Sequence, residues 1–218
     1  MKIQWLGHSA FKLTESTGVS VITDPFLPSA VGYSMAYLPC DAVTLSHAHS
    51  DHNHLAGVKG KPRVIDTTGV FDVKGIHIHG IEADHDPEGG RLRGRTILYN
   101  FRLDGVAVCH MGDLGEPCTP ELTEQLIPVN ILLLPVGGNY TIDAEEAKEY
   151  VDNIMPDIVI PMHYKTKHTE LDIDKLDGFL RLFDDDQIVG TETDVLEFDR
   201  YDFDGGSTKI IVPKRYKG

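Results

Sequence analysis

Five short runs rich in Val, Ile and Leu punctuate the chain: VSVITDP at 19–25, AVTLSHAH at 42–49, VAVCHMGD at 106–113, ILLLPVGG at 131–138 and DIVIPMHY at 157–164. A strand with one wet face alternates apolar and polar positions, whereas a strand covered on both faces is apolar throughout. These runs are therefore predicted to be buried strands of layered sheets. Each ends in Asp, His or a glycine pair. That ending places the polar side chains in loops along one sheet edge, where sites in layered α/β folds are commonly built.

Helical spacing appears between the runs. Asp143 can cap a helix with Glu146 three residues on, and Ala144, Ala147, Tyr150, Val151 and Ile154 mark its apolar face. A second helix is expected over Ile173 to Phe183, where Leu176, Leu180 and Phe183 fall at helical spacing, and a shorter one after Thr119-Pro120. The tail alternates at Val195–Phe198 and Lys209–Val212, which reads as edge strands. No stretch is rich enough in Pro, Gly or Ser to be a linker, so residues 1–218 are expected to form one domain. The recurrence of strand-then-polar-residue in both halves points to two similar layers.

Charge and cysteine usage narrow the function classes. The 218 residues carry 34 Asp and Glu against 20 Lys and Arg, a formal charge of −14. A chain that acidic is disfavoured for charge-driven binding to nucleic acid or an anionic membrane. No run approaches the ~18 apolar residues of a membrane span, and the start shows no leader pattern. Cys40, Cys109 and Cys118 are odd in number and lack CxxC spacing. A cytoplasmic location is the expectation.

The strongest chemical signal is Ser46-His47-Ala48-His49-Ser50-Asp51-His52. Three imidazoles and a carboxylate follow a strand directly. In a turn, His47 and His49 can point one way and Asp51 and His52 another, so that each pair takes a cation of the zinc, iron or manganese kind.

His47 to His52 match the HxHxDH signature, and the chain resembles the metallo-β-lactamase superfamily, a four-layer αββα sandwich with a dinuclear metal site. WLGHSAF at 5–11, ITDPF at 22–26, ADH at 83–85, MGDLG at 111–115, PVGGNYT at 135–141 and IPMHYKT at 160–166 occur in the order the family uses. The chain is most similar to its small metal-dependent hydrolases, relatives of ascorbate-6-phosphate lactonases and N-acyl phosphatidylethanolamine phospholipases. The resemblance implies a first site of His47, His49, His85 and Asp113. It implies a second of Asp51, His52, His163 and a shared Asp113, with Asp51 and Asp113 as the catalytic carboxylates. Two divalent ions, zinc first and manganese or iron as alternatives, would lower the pKa of a shared water toward 7 and direct hydroxide at an ester, lactone or phosphodiester. Gly112-Asp113-Leu114-Gly115 departs locally from the commoner GDTG of the relatives. The small size and HxHxDH, rather than HxExDH, disfavour the nucleases and diiron oxygen reductases of this fold.

Other residues carry weaker expectations. The resemblance places Asp24 behind a ligand histidine and His8 beside the site, in contact with a ligand or substrate. Gly137, Gly138, Asn139 and Tyr140 are read as a pocket wall, and Tyr164 with Lys165 as candidate substrate contacts. His110 is read as a core histidine, His54 as a rim residue, His77 and His79 as solvated or hydrogen-bonded, and His168 as exposed. The acidic stretches 184–186 and 202–206 lack EF-hand spacing and read as solvated turns. The expected partner is a small molecule, and self-assembly into a homo-oligomer is open. The competing function class is a non-catalytic metal- or nucleotide-binding module that retains the same ligands.

Overall fold

The computed structural model describes every residue of the chain except Asp204. In chain order the strands are β1 (Lys2–Gly7), β2 (Ala10–Thr14), β3 (Ser20–Thr23), β4 (Ala42–Thr44), β5 (Arg63–Ile65), β6 (Gly69–Val73) and β7 (Ile76–Asp84). They continue with β8 (Arg95–Leu103), β9 (Val106–His110), β10 (Ile131–Pro135), β11 (Ile158–Met162), β12 (Ile188–Gly190), β13 (Leu196–Glu197) and β14 (Lys209–Val212). The helices are α1 (Pro28–Val31), α2 (Pro120–Leu126), α3 (Ala144–Ile154) and α4 (Leu176–Leu180).

Two sheets result. The first has six strands in the order β13-β1-β2-β3-β4-β5, and the second eight in the order β12-β14-β11-β10-β9-β8-β7-β6. Strand alternation in the first sheet assigns each side chain to a layer. Ile3, Phe11, Leu13, Val21 and Ala42 join the core shared with the second sheet, whereas Ala10, Ile22 and Val43 join a smaller cluster on the opposite face. Every residue of β9, β10 and β11 is buried, as expected of strands covered on both faces.

Helices α2, α3 and α4 supply the outer cover of the second sheet through Leu122, Leu126, Ala147, Tyr150, Val151, Ile154 and Phe179. Helix α3 begins with a full capping box. Asp143 accepts from the Glu146 backbone and Glu146 accepts from the Asp143 backbone, each at 2.9 Å. Such a cap contributes roughly 1 kcal/mol. The outer cover of the first sheet is thinner than the αββα description implies. It consists of the single-turn α1, one 3-10 turn at Leu55–Gly57 and partly buried side chains from Tyr33 to Cys40 with Tyr216.

Two expectations need correction. The helix expected over 173–183 is confined to Leu176–Leu180, because the backbone of Asp174 is committed elsewhere. Its N–H donates to Gly137 (2.7 Å) and its carbonyl accepts from Lys165 (2.7 Å). Strand β14 is not an edge: it lies between β11 and β12, and β12 forms the edge. Asp184, Asp185, Asp186 and Asp202 are exposed turn residues, as expected, and Asp204 lies outside the described residues. Among the described residues no helix is long and apolar enough to cross a membrane.

Candidate metal centre

Six segments bring polar side chains to one end of the two sheets. His8 follows β1, Asp24 follows β3, residues 46–54 follow β4, His85 follows β7, Asp113 lies just past β9 and His163 follows β11. Three of these residues turn the chain sharply in the left-handed region: His8 at φ 49°, Asp24 at φ 39° and His163 at φ 52°. Each such residue costs about 1–2 kcal/mol, a cost that clusters at functional sites. Two glycines allow the loops to close up. A Cβ on Gly137 would lie 2.0 Å from the His163 carbonyl oxygen, and one on Gly112 would meet the Thr96 hydroxyl at 2.7 Å.

The side chains form three overlapping groups whose donor atoms lie within 4.8 Å of one another: His47, His49 and His85; His8, Asp51, His52 and His163; and His47, His52 and Asp113. In the first group, His49 Nδ1 is 3.0 Å from His47 Nε2 and 3.3 Å from His85 Nε2. In the second, Asp51 Oδ2 is 3.4 Å from His8 Nε2 and 3.6 Å from His52 Nε2. Asp113 stands between them. Its Oδ1 is 3.1 Å from His52 Nε2, and its Oδ2 is 3.3 Å from His163, 3.5 Å from His85 and 3.8 Å from His47. All seven residues expected from the motifs are thus brought together, and His8 joins them more closely than expected.

Asp24 and Ser46 orient two of the rings. The fully buried Asp24 carboxylate accepts from the Ser46 N–H (2.8 Å), the Ser46 hydroxyl (2.6 Å) and His52 Nδ1 (2.9 Å). A carboxylate can only accept, so His52 Nδ1 carries a proton and its Nε2 faces the cluster. The Ser46 hydroxyl, having given its proton to Asp24, accepts from His47 Nδ1 at 2.9 Å. His47 therefore also presents Nε2. A carboxylate behind a ligand histidine fixes tautomer and ring direction in this way. The role of Ser46 escaped the sequence reading, although it adjoins His47.

The charges are strongly coupled. Against the desolvation of a wholly buried ring, Asp113, Asp24 and Asp51 hold the His52 pKa well above its usual value. Despite burial, His163 and His52 hold Asp113 well below the usual carboxylate range. Burial and the neighbouring His52 push His47 down to about 3, and burial with His163 pushes His8 down to about 4. Burial lowers His85 as well.

The donor set fits divalent cations. His8 Nδ1 and Nε2, His52 Nε2, His163 Nδ1 and Nε2 and Asp113 Oδ1 are buried yet make no aligned hydrogen bond. Buried polar atoms without partners are costly. Nitrogen and carboxylate lone pairs converging on common points are what a cation of the zinc type satisfies.

A cleft of about 280 Å³ opens onto the centre, lined by His49, Asp51, His85, Arg93, Asp113, Tyr140 and Leu171. Gly138 and Tyr164, expected at the substrate pocket, are not among these residues. Gly138 turns at φ 62° against Asp143 and Asp174, and Tyr164 is buried in a stack on Trp5 with centroids 5.6 Å apart. Tyr140 does line the cleft, while Lys165 lines a separate surface hollow with Asp172 and Lys175. His110 is a core residue whose Nε2 bonds the Ser9 carbonyl at 2.8 Å. His54 is half-buried, its N–H donating to Pro25, and belongs to none of the three donor groups. His77 and His79 are exposed, with His77 3.1 Å from Asp72, and His168 is exposed beside Tyr33.

Comparison with known proteins shows the family. Residues 2–163 match the β-lactamase superfamily domain. A UPF0173 metal-dependent hydrolase of Pyrococcus abyssi is 30% identical over 194 residues, covering 76% of this chain and 85% of that protein. One from Methanoregula boonei is 32% identical over 189 residues, covering 76% and 83%. Among solved structures, a candidate zinc-dependent hydrolase of the metallo-β-lactamase superfamily from Thermotoga maritima is 40% identical, with TM-score 0.77 and 97% of each chain covered. The chain belongs to the metallo-β-lactamase superfamily, among its UPF0173 metal-dependent hydrolases.

Proposed function

We propose that the chain hydrolyses a small ester, lactone or phosphodiester with two divalent cations, preferably zinc, held at the His/Asp centre. His47, His49 and His85 would hold one and His52, His163 and Asp51 the other, with Asp113 placed between the two groups. The observation that carries this reading is the central position of Asp113, whose two oxygens lie 3.1–3.8 Å from histidines of both groups. Bound there, the cations supply Lewis acidity and a water acidified toward neutral pH. The chain's own residues do the rest. Asp24 and Ser46 hold the His52 and His47 rings in register, and the cleft walls position the substrate against the centre. Asp51 lines the cleft, so one of its oxygens also faces the space a substrate would enter. The free thiols of Cys40, Cys109 and Cys118 support a reducing, cytoplasmic setting.

Metal analysis of protein loaded with zinc or manganese should give up to two ions per chain. A panel of lactone, thioester and bis-aryl phosphodiester substrates should show turnover that Asp113→Ala lowers by a factor of about 10³ or more. Metal uptake without turnover on any member would leave a binding module, and no uptake would overturn the site.

A further inference from the structure

The cleft carries a cation that the metal centre does not use. Residues 86–94 form a loop organised by the buried Asp86, whose carboxylate accepts from the backbone N–H groups of Glu88 (2.9 Å), Gly90 (3.1 Å), Leu92 (2.9 Å) and Arg93 (2.7 Å). That staple delivers Arg93 to the cleft wall, half-buried, with its guanidinium 5.6 Å from the centre of the Tyr140 ring.

The neighbouring arginines are neutralised. Arg91 pairs with Glu88 and Arg95 with Asp84, each at 2.5 Å. Among the described residues Arg93 has no carboxylate within ion-pair distance and no side-chain hydrogen bond, although the chain carries 34 acidic residues. Half-buried guanidinium donors facing a cleft match a planar oxyanion, which Arg binds with two parallel hydrogen bonds. Tyr140 stabilises the cation from its ring face and leaves the donor edges available. Leu171 adds an apolar wall, and about 280 Å³ is at the small end of ligand pockets.

We propose that Arg93 forms an anion subsite beside the metal centre, so that the substrate is a small ester or lactone bearing a carboxylate or phosphate. The proposal rests on the hydrolase reading above and names its substrate class. Asp51 and Asp113 also face the cleft and repel an anion, so the subsite works on the metal-loaded protein, in which the cations offset those carboxylates.

The test uses zinc-loaded protein and pairs of lactones that share one ring, one member neutral and the other carrying a carboxylate or a phosphate. The wild type is expected to favour an anionic member in kcat/KM. Arg93→Gln should reduce that anionic-to-neutral ratio by about tenfold or more, mainly through KM. Arg91→Gln, which removes an equal but already paired charge from the same loop, should leave the ratio in place. The carboxylate and phosphate arms show which anion the subsite takes. No preference in the wild type, or an equal fall of the ratio in Arg91→Gln, overturns the subsite.

If neither member of any pair turns over, the lactone part of the hydrolase reading fails separately from the subsite. The subsite is then judged by calorimetric binding of inorganic phosphate at equal zinc content. A roughly tenfold weaker affinity in Arg93→Gln supports it, and unchanged affinity overturns it.

Discussion

The two histidine groups differ in how they meet solvent. His47, His49 and His85 form the open group: the His47 and His85 rings are buried, but His49 is exposed and, with His85, lines the cleft. His8, Asp51, His52 and His163 form the closed group, in which all three imidazoles are buried and only Asp51 reaches the cleft. They also differ in wiring. His52 is tied directly to a buried carboxylate, whereas His47 reaches the same carboxylate through a serine hydroxyl. Similar donors therefore sit in unlike dielectric surroundings. The closed group is expected to hold its ion by rigidity and charge, and the open group to exchange its ion and meet substrate.

The largest break in that contrast should come from Asp24→Ala. It frees the buried His52 ring and should weaken zinc at the closed group by about 10–100-fold, measured by competition with a chelating dye, with a smaller loss at the open group. Chelation kinetics come next. Removal of zinc by a chelator should be biphasic, the open group emptying at least about tenfold faster, because the closed group must first be exposed by a local opening. A single phase would erase the distinction. Ser46→Ala should act in the reverse sense from Asp24→Ala, weakening the open group by about fivefold, the worth of one hydrogen bond of ~1 kcal/mol.

The last contrast is a count of protons. Without metal, His52 holds a proton near neutral pH because its pKa is raised, while His8, His47 and His85 are already neutral. Zinc entering the closed group should displace about one proton, seen as a buffer-dependent heat, and its affinity should rise with pH by up to about tenfold per unit. The metal-free protein has the opposite trend. The ion pairs of His52 stabilise it fully below the ordinary histidine pKa of ~6.5, and that stability is lost as pH rises through the raised folded value. The depressed Asp51 and Asp113 contribute above the ordinary carboxylate pKa of ~4 and lose their contribution as pH falls through their folded values.

How much of this could be read in advance followed sequence distance. His47, His49, Asp51 and His52 lie within six positions, so their spacing alone suggested two ion sites. His85, Asp113 and His163 were legible as ligands only through the resemblance, although the apolar runs before Asp113 and His163 already placed those two at a sheet edge. The closeness of His8 to His163, with ring centroids 4.2 Å apart, depends on strands from different sheets ending at the same level. Arg93 was missed because one of three alternating arginines in a glycine-rich loop looks solvated until Asp86 is seen to fold the loop back. The five apolar runs gave their strands directly, because burial on both faces leaves its mark in every residue. The helix expected over 173–183 failed at its start, where backbone bonds from Asp174 to Gly137 and Lys165 compete with helical ones.

The donors are shared between the two sheets. His8, His47, His49, Asp51 and His52 hang from the first, and His85, Asp113 and His163 from the second. Neither sheet owns a complete donor set, so an ion held there would cross-link halves of the chain distant in sequence. An ion that binds only the assembled form adds RT ln(1 + [ion]/Kd) to the unfolding free energy. Loading should therefore raise the melting temperature and slow amide exchange at the strand ends of both sheets together. An ion that equipped the centre for chemistry would also act as a rivet through the sandwich.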